Sequence, residues 1–206
     1  KFIFTDVILR DNIESLTKNI GFADEDIIWL YQYFTDMEVA PNTYSIKKFE
    51  ESIDLTNRKF TVEKVNNKIV RYNFADEKQF VTAYLKDGND KVVERVEYVS
   101  QGALIRKDYF TNKKTCSEYY TPKNKTAYLY RRIVFNSNGT VAFEELIDGD
   151  KKNTIYRFPD KILYNKEELV EYFIEKLNLT EKDVVILDRS TGIGQVVFRN
   201  HGKAKL

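Results

Sequence analysis

The chain has 206 residues, enough for one large domain or two small ones. Hydrophobic residues at 42% exclude a disordered chain, and a formal charge of +1 excludes a whole-protein attraction to nucleic acid or to anionic membrane. The single cysteine, Cys116, excludes an internal disulfide and is compatible with a reducing cytoplasm, and no apolar run approaches the length that crosses a membrane.

Residues 2–5 open the chain as a short apolar run that suits a buried parallel strand. Asp11 stands where a helix cap is needed, with Glu14 three residues on; Ile13, Leu16 and Ile20 then share a face, and Gly21 marks the helix end. Three acids at 24–26 precede Ile27, Ile28, Leu30, Tyr31 and Phe34, whose spacing predicts a helix, with a strand over 27–31 as the alternative. After Pro41, Ser45 starts a short helix with Ile46, Phe49 and Ile53 inward.

From about residue 58 to 158 the character changes. Runs rich in Tyr, Phe, Val, Ile and Thr lie at 60–65, 69–74, 80–85, 92–99, 104–110, 116–120, 127–135, 141–147 and 154–158. Turn residues separate them, among them Asn66-Asn67, Gln101-Gly102, Asn112-Lys113, Asn138-Gly139 and Asp148-Gly149. This predicts consecutive antiparallel hairpins, a meander. Leu104, Arg106, Asp108 and Phe110 share one strand face, and Ile105, Lys107 and Tyr109 the other. A half-buried strand keeps one face apolar. Here both faces mix aromatic and charged side chains, which predicts a broad sheet wet on both sides and suited to being a contact surface. A sandwich or a curled sheet with an ordinary core is the alternative. Arg106, Tyr109, Tyr119, Tyr120, Tyr128, Tyr130 and Arg132 are the candidates for a partner-facing surface. The basic pairs Arg106-Lys107, Lys113-Lys114, Arg131-Arg132 and Lys151-Lys152 read as solvated strand edges.

Beyond the meander, Asn165 caps a helix with Glu168 at its third position, and Leu169, Val170, Phe173, Ile174 and Leu177 form its apolar stripe. Residues 183–188 read as a buried strand that opens into a glycine-containing loop, and 196–200 as a short helix ended by Gly202. The fold class expected is therefore α+β: a large antiparallel β-meander inserted between incomplete Rossmann-like α/β segments. Residues 1–56 and 161–206 form the α/β parts and 57–160 the insertion, and the chain reads as a piece of a longer protein.

Catalytic machinery is not visible. His201 is the only histidine, so no metal-ligand set exists, and Glu144-Glu145 point to opposite strand faces. The glycines in 191–195 fit no strong phosphate-binding fingerprint. Their position at the carboxyl end of a strand makes Asp188, Arg189, Ser190 and Thr191 candidates for a ligand or acceptor cleft; a plain loop with a helix cap at Thr191 is the alternative.

Three stretches carry a resemblance: 183–195 (DVVILDRSTGIGQ), 21–36 (GFADEDIIWLYQYFTD) and 102–120 (GALIRKDYFTNKKTCSEYY). Together, in colinear order over almost the whole chain, they resemble the accessory Sec system glycosyltransferases of the GtfA type. A more distant likeness is to the wall teichoic acid α-N-acetylglucosaminyltransferase. The resemblance implies a retaining GT-B enzyme with UDP-N-acetylglucosamine as donor and Ser or Thr of a cytoplasmic serine-rich repeat adhesin as acceptor. It implies that the meander binds a GtfB-type partner subunit and the acceptor, in a complex able to associate peripherally with the membrane. In the teichoic acid relative the meander mediates oligomer formation. The family's glycine loop, active-site histidine and second Rossmann domain have no counterpart here, so no catalytic or cofactor-binding residue carries over, and His201 does not match. The expectation is an acceptor- and partner-binding region, inactive alone. An oligomerisation module and a free-standing binding domain are the alternatives.

Overall fold

Short β-prone runs joined by tight turns leave each strand one easy partner, its neighbour in sequence. In the computed structural model, which describes residues 1–9, 12–53, 55, 58–188 and 191–206, that is how the chain pairs. Ten strands form one antiparallel sheet in strict sequence order. They are β3 (Thr61–Asn66), β4 (Ile69–Phe74), β5 (Gln79–Lys86), β6 (Asn89–Ser100), β7 (Ala103–Phe110), β8 (Lys114–Lys123), β9 (Thr126–Phe135), β10 (Val141–Asp148), β11 (Asn153–Arg157) and β12 (Ile162–Leu163). The last of these, β12, has no counterpart in the sequence reading; two residues are too few to show alternation.

The remaining elements flank the sheet. Strand β1 (Phe2–Phe4) pairs in parallel with β2 (Ile27–Trp29). Helices α1 (Ile13–Asn19), α2 (Leu30–Tyr33) and α3 (Ile46–Ser52) come before the meander, and α4 (Lys166–Leu177) and α5 (Ile193–Asn200) after it. Asn165 caps α4 as expected, Glu168 N–H donating to Asn165 Oδ1 at 2.8 Å, while the Glu168 carboxylate reaches one residue further back than a capping box requires and accepts from Tyr164 N–H at 2.7 Å.

Two cores lie on opposite faces of the sheet. Phe49 of α3 packs with Tyr72, Val81, Ala83, Val96 and Phe110 on one face, over the β4–β7 half. Leu30, Tyr31, Phe173 and Ile174 pack with Cys116, Val134, Phe143 and Tyr156 on the other face, over the β8–β12 half. Each half is thus covered on one side, and the covered side changes midway. That explains why neither face of 104–110 reads as apolar: β7 lies where one core gives way to the other. A sandwich is not formed.

Several local expectations are corrected. Residues 27–34 divide between strand and helix, because Ile27, Ile28 and Trp29 find a parallel partner in β1. On α1 only Ile13 of the three apolar positions is buried; Leu16 and Ile20 face outward, and the inward positions are Ile13, Glu14 and Thr17. Asp11 lies outside the described residues, and the capping side chain is Asn12, whose Oδ1 accepts from Glu14 N–H at 3.1 Å. The run 183–188 is not a buried strand. Val184 makes a parallel bridge to Lys205, Ile186 is 90% exposed, and among the described residues no strand pairs along the run. Gly149 serves its turn by size: an added Cβ would meet the Tyr128 ring at 3.3 Å.

Phe49 is fully buried and carries the contact of α3 with the sheet. Phe49→Ala is expected to lower unfolding free energy in urea by about 3–5 kcal/mol. A loss below about 1 kcal/mol would mean that this half of the sheet does not depend on its helix.

Candidate functional site

Directly opposed residues on neighbouring strands share a face. The register places Glu63, Arg71, Thr82, Glu97, Lys107, Glu118, Arg132, Glu145, Tyr156 and Leu163 in one row across all ten strands. From Glu97 to Glu145 the charges alternate strand by strand. Lys107 Nζ lies 3.3 Å from Glu97, and Arg132 Nη2 lies 2.8 Å from Glu118. Arg132 also pairs with Glu145. The row starts at the solvent-exposed edge strand β3 and runs under the second core, where Arg132, Glu118 and Glu145 are all buried.

The buried end of the row is closely bonded. The Tyr109 and Tyr120 phenols donate to Glu118 Oε2 at 2.8 and 2.5 Å. Burial alone would raise the Glu118 pKa, but the Tyr120 hydrogen bond and the Arg132 guanidinium outweigh it and hold the group below the usual glutamate range. Burial and then the neighbouring Glu118 carboxylate push the Tyr109 phenol well up. Cys116 beside them is buried and held as the thiol, since burial raises its pKa strongly.

The reverse face carries a second set. Asp108 is buried, accepts from Ser117 Oγ at 2.7 Å and pairs with Arg106 at 3.0 Å. The Arg106 guanidinium lies 3.8 Å from the Tyr98 ring centre. Glu144 takes Arg131 Nε at 2.5 Å and also Arg157. Among the described residues no helix covers this face over β8–β11.

The seven residues assigned from sequence to a partner-facing surface do not form one surface. Arg106 and Tyr119 stand in one cross-strand pair on one face, while Tyr109, Tyr120 and Arg132 meet at Glu118 on the other. Arg132 is 8% exposed, so it is corrected from a surface contact to the centre of the buried network; two carboxylates hold it there. Tyr128 Oη accepts from Gly149 N–H at 2.6 Å and so fastens a turn. Tyr130 is exposed.

Among the cleft candidates, Arg189 and Ser190 lie outside the described residues, and Asp188 and Thr191 are exposed. Thr191 is not the cap of α5: Gly192, at φ +61°, holds that position, with no side-chain hydrogen bond. His201 Nδ1 lies 2.7 Å from the carbonyl of Ala204, closing the turn after α5. Among the described residues no group of three or more His, Cys, Asp or Glu side chains stands close enough to hold a metal ion, and no helix is long and apolar enough to cross a membrane.

The acids that complete the row were missed. A signal for them existed: counting six residues back from Asn138 and six on from Gly139 sets Arg132 opposite Glu145, as observed.

A sequential sheet of this length, carried on an α/β segment, defines the class: an extended β-sheet domain. Residues 61–160 match the family described as the GtfA extended beta-sheet domain. Over all 206 residues the chain is 51% identical to the UDP-N-acetylglucosamine--peptide N-acetylglucosaminyltransferase GtfA subunit of Streptococcus gordonii, and 34% identical over 212 aligned residues to that of Limosilactobacillus reuteri subsp. suis. It covers 40% and 41% of those relatives, so it spans about two fifths of their length. Its fold superposes with a TM-score of 0.90, at 51% identity, on a chain in a crystal structure of a GtfA/B complex, covering 100% of this chain and 40% of that one. The TM-score is again 0.90, at 46% identity, for the pneumococcal O-GlcNAc transferase GtfA in complex with UDP and GlcNAc, with 99% of this chain and 40% of that one covered. The likeness to GtfA subunits thus runs the length of this chain, and the family match itself covers residues 61–160.

Removing Arg132 would leave Glu118 and Glu145 buried without their cation, so Arg132→Met is expected to cost about 3–5 kcal/mol in urea unfolding. The pH dependence follows from Glu118. Its folded pKa lies below the ordinary 4.5, so its stabilisation is present above that value and is lost as pH falls through the folded pKa. Glu118→Gln should therefore flatten the fall in stability below about pH 4.5, as measured by urea titrations at successive pH values. An unchanged acid limb would contradict the assigned pKa.

Proposed function

We propose that this chain is the acceptor- and partner-binding region of a protein O-N-acetylglucosaminyltransferase and does not transfer sugar by itself. The observation that carries this reading is the meander's uncovered area. Over β8–β11 one face is left to Tyr119, Arg131, Arg157 and Leu146; over β3–β6 the opposite face is left to Arg71, Tyr84, Arg95 and Glu97. Tyr and Arg are the residues enriched where proteins meet. Similarity along the whole chain to a GtfA solved within a GtfA/B complex supports a partner of the GtfB type.

In this reading the donor is UDP-N-acetylglucosamine, bound by the part of the relatives' length that this chain does not span. The acceptor is a Ser- and Thr-rich adhesin polypeptide, and the reaction belongs to the cytoplasm, with any membrane contact made through the complex. Asp188 and Thr191 are kept as acceptor contacts. Among the surface residues Arg106, Tyr119 and Tyr130 are kept as partner contacts. A second reading, self-assembly, is favoured by one feature: every residue of the edge strand β3 is exposed, including Val62 and Val65.

Titration calorimetry of the chain with a GtfB-type subunit, and separately with an unglycosylated serine-rich peptide, tests the proposal. Micromolar or tighter binding to the subunit, about 8 kcal/mol or more, is expected. Tyr119→Ser with Tyr130→Ser should weaken it while thermal unfolding stays unchanged. Binding to neither, with a concentration-dependent increase in mass, would favour self-assembly and overturn the proposal.

A further inference from the structure

A partly open cavity of about 70 Å³ lies where the connector between α2 and α3 crosses the end of the sheet. Leu9, Trp29, Val39, Phe110, Val134 and Phe135 form much of its wall, so the α/β segment, the connector and strands β7 and β9 enclose it together. Hydrogen bonds hold that wall in place. Ser137 N–H and Oγ donate to Asp36 at 2.5 and 2.7 Å, and Asn42 Nδ2 donates to the Phe110 carbonyl at 2.6 Å, which pins the connector to the sheet on either side of Val39. Trp29 Nε1 donates to the Asp6 carbonyl at 2.8 Å and so fixes the indole. The cavity is therefore preformed, at a junction of the kind where small-molecule sites occur.

Its chemistry narrows the ligand. A space of this size holds about six non-hydrogen atoms, since one water-sized sphere takes about 10–15 Å³. Most polar side chains around it are spent within the chain: Gln32 Nε2 donates to the Met37 carbonyl at 2.8 Å, Thr115 Oγ1 to the Tyr109 carbonyl at 3.1 Å, and the Tyr109 phenol to Glu118. Arg95 differs. It lines the cavity with its guanidinium 4.1 Å from the Tyr84 ring centre, and its buried Nε stands 3.4 Å from Glu97 without a hydrogen bond. Glu38 and Glu94 line the cavity too, so an anion meets like charge beside Arg95, and an ion of either sign loses hydration against the apolar wall.

We propose that this cavity is a binding site for a small uncharged molecule, a compact aliphatic body carrying one carbonyl or amide oxygen for Arg95. Its ligand touches the connector and the sheet at once and so fastens the meander to the α/β segment. The inference does not depend on which partner the sheet binds.

Isobutyramide, isobutyrate and isobutylamine share one carbon skeleton and differ in charge. Methyl NMR of the full-length protein, titrated with each, reads the site through the Val39 and Val134 signals. Isobutyramide is expected to shift both with a millimolar dissociation constant, and the two ions to bind at least about tenfold more weakly. Val39→Phe should fill the cavity and abolish the Val134 shift, and Arg95→Met should weaken isobutyramide about fivefold. If Val39→Phe fails to fold, Met37→Phe fills the same wall and takes its place. Equal affinity for all three, a shift that survives the filled cavity, an affinity unmoved by Arg95→Met, or no shift from any probe would overturn the proposal.

Discussion

The alternating charges from Glu97 to Glu145 are the constraint on which the rest of the structure depends. A strand with one apolar face has its register set by that face, since a slip of one residue turns every apolar side chain to water. This sheet cannot rely on that rule. Its cores lie on opposite faces of opposite halves, so the strands between them, β7 to β9, carry apolar and polar side chains on both sides. The row supplies what the apolar pattern lacks. A slip at β8 would take Glu118 from between Lys107 and Arg132, and would also part it from the Tyr109 and Tyr120 phenols. Buried ion pairs add little net stability against apolar replacements, but they can fix one pairing against others.

Much of the fold is legible in the sequence because the meander uses local rules. Asn-Gly and Gln-Gly turns, β-branched runs and period-two alternation are short-range features, and the nine runs they mark all become strands. The charge-mixed faces at 104–110 also point to a sheet wet on both sides. What is not legible is which face each half covers, since that depends on α3 and α4 returning from distant parts of the chain. Arg132 shows the consequence. Its residue type and strand position fit a surface contact, yet its burial is decided by Tyr31 and α4, far from it in sequence. The run at 183–188 fails for a related reason: its composition fits a buried parallel strand, but among the described residues it pairs through one bridge, at Val184.

The titratable groups of the row are paired with one another, and the Cys116 thiol is buried among them. The sheet is rigid where its charges are buried and open where its faces lack helices. In the proposed function, the aromatic and guanidinium side chains on these open areas are what a bound polypeptide would meet.

The most direct test of this account is heteronuclear NMR of a chain in which Glu97, Lys107, Glu118, Arg132 and Glu145 are all replaced by Gln. Size and polarity are nearly kept and the charge alternation is removed. Loss of a unique register is expected, seen as multiple or broadened amide signals across β7–β10 while overall strand content persists. A single sharp set of signals, with the cross-strand contacts between positions 107, 118 and 132 intact, would contradict the claim that the charged row sets the register.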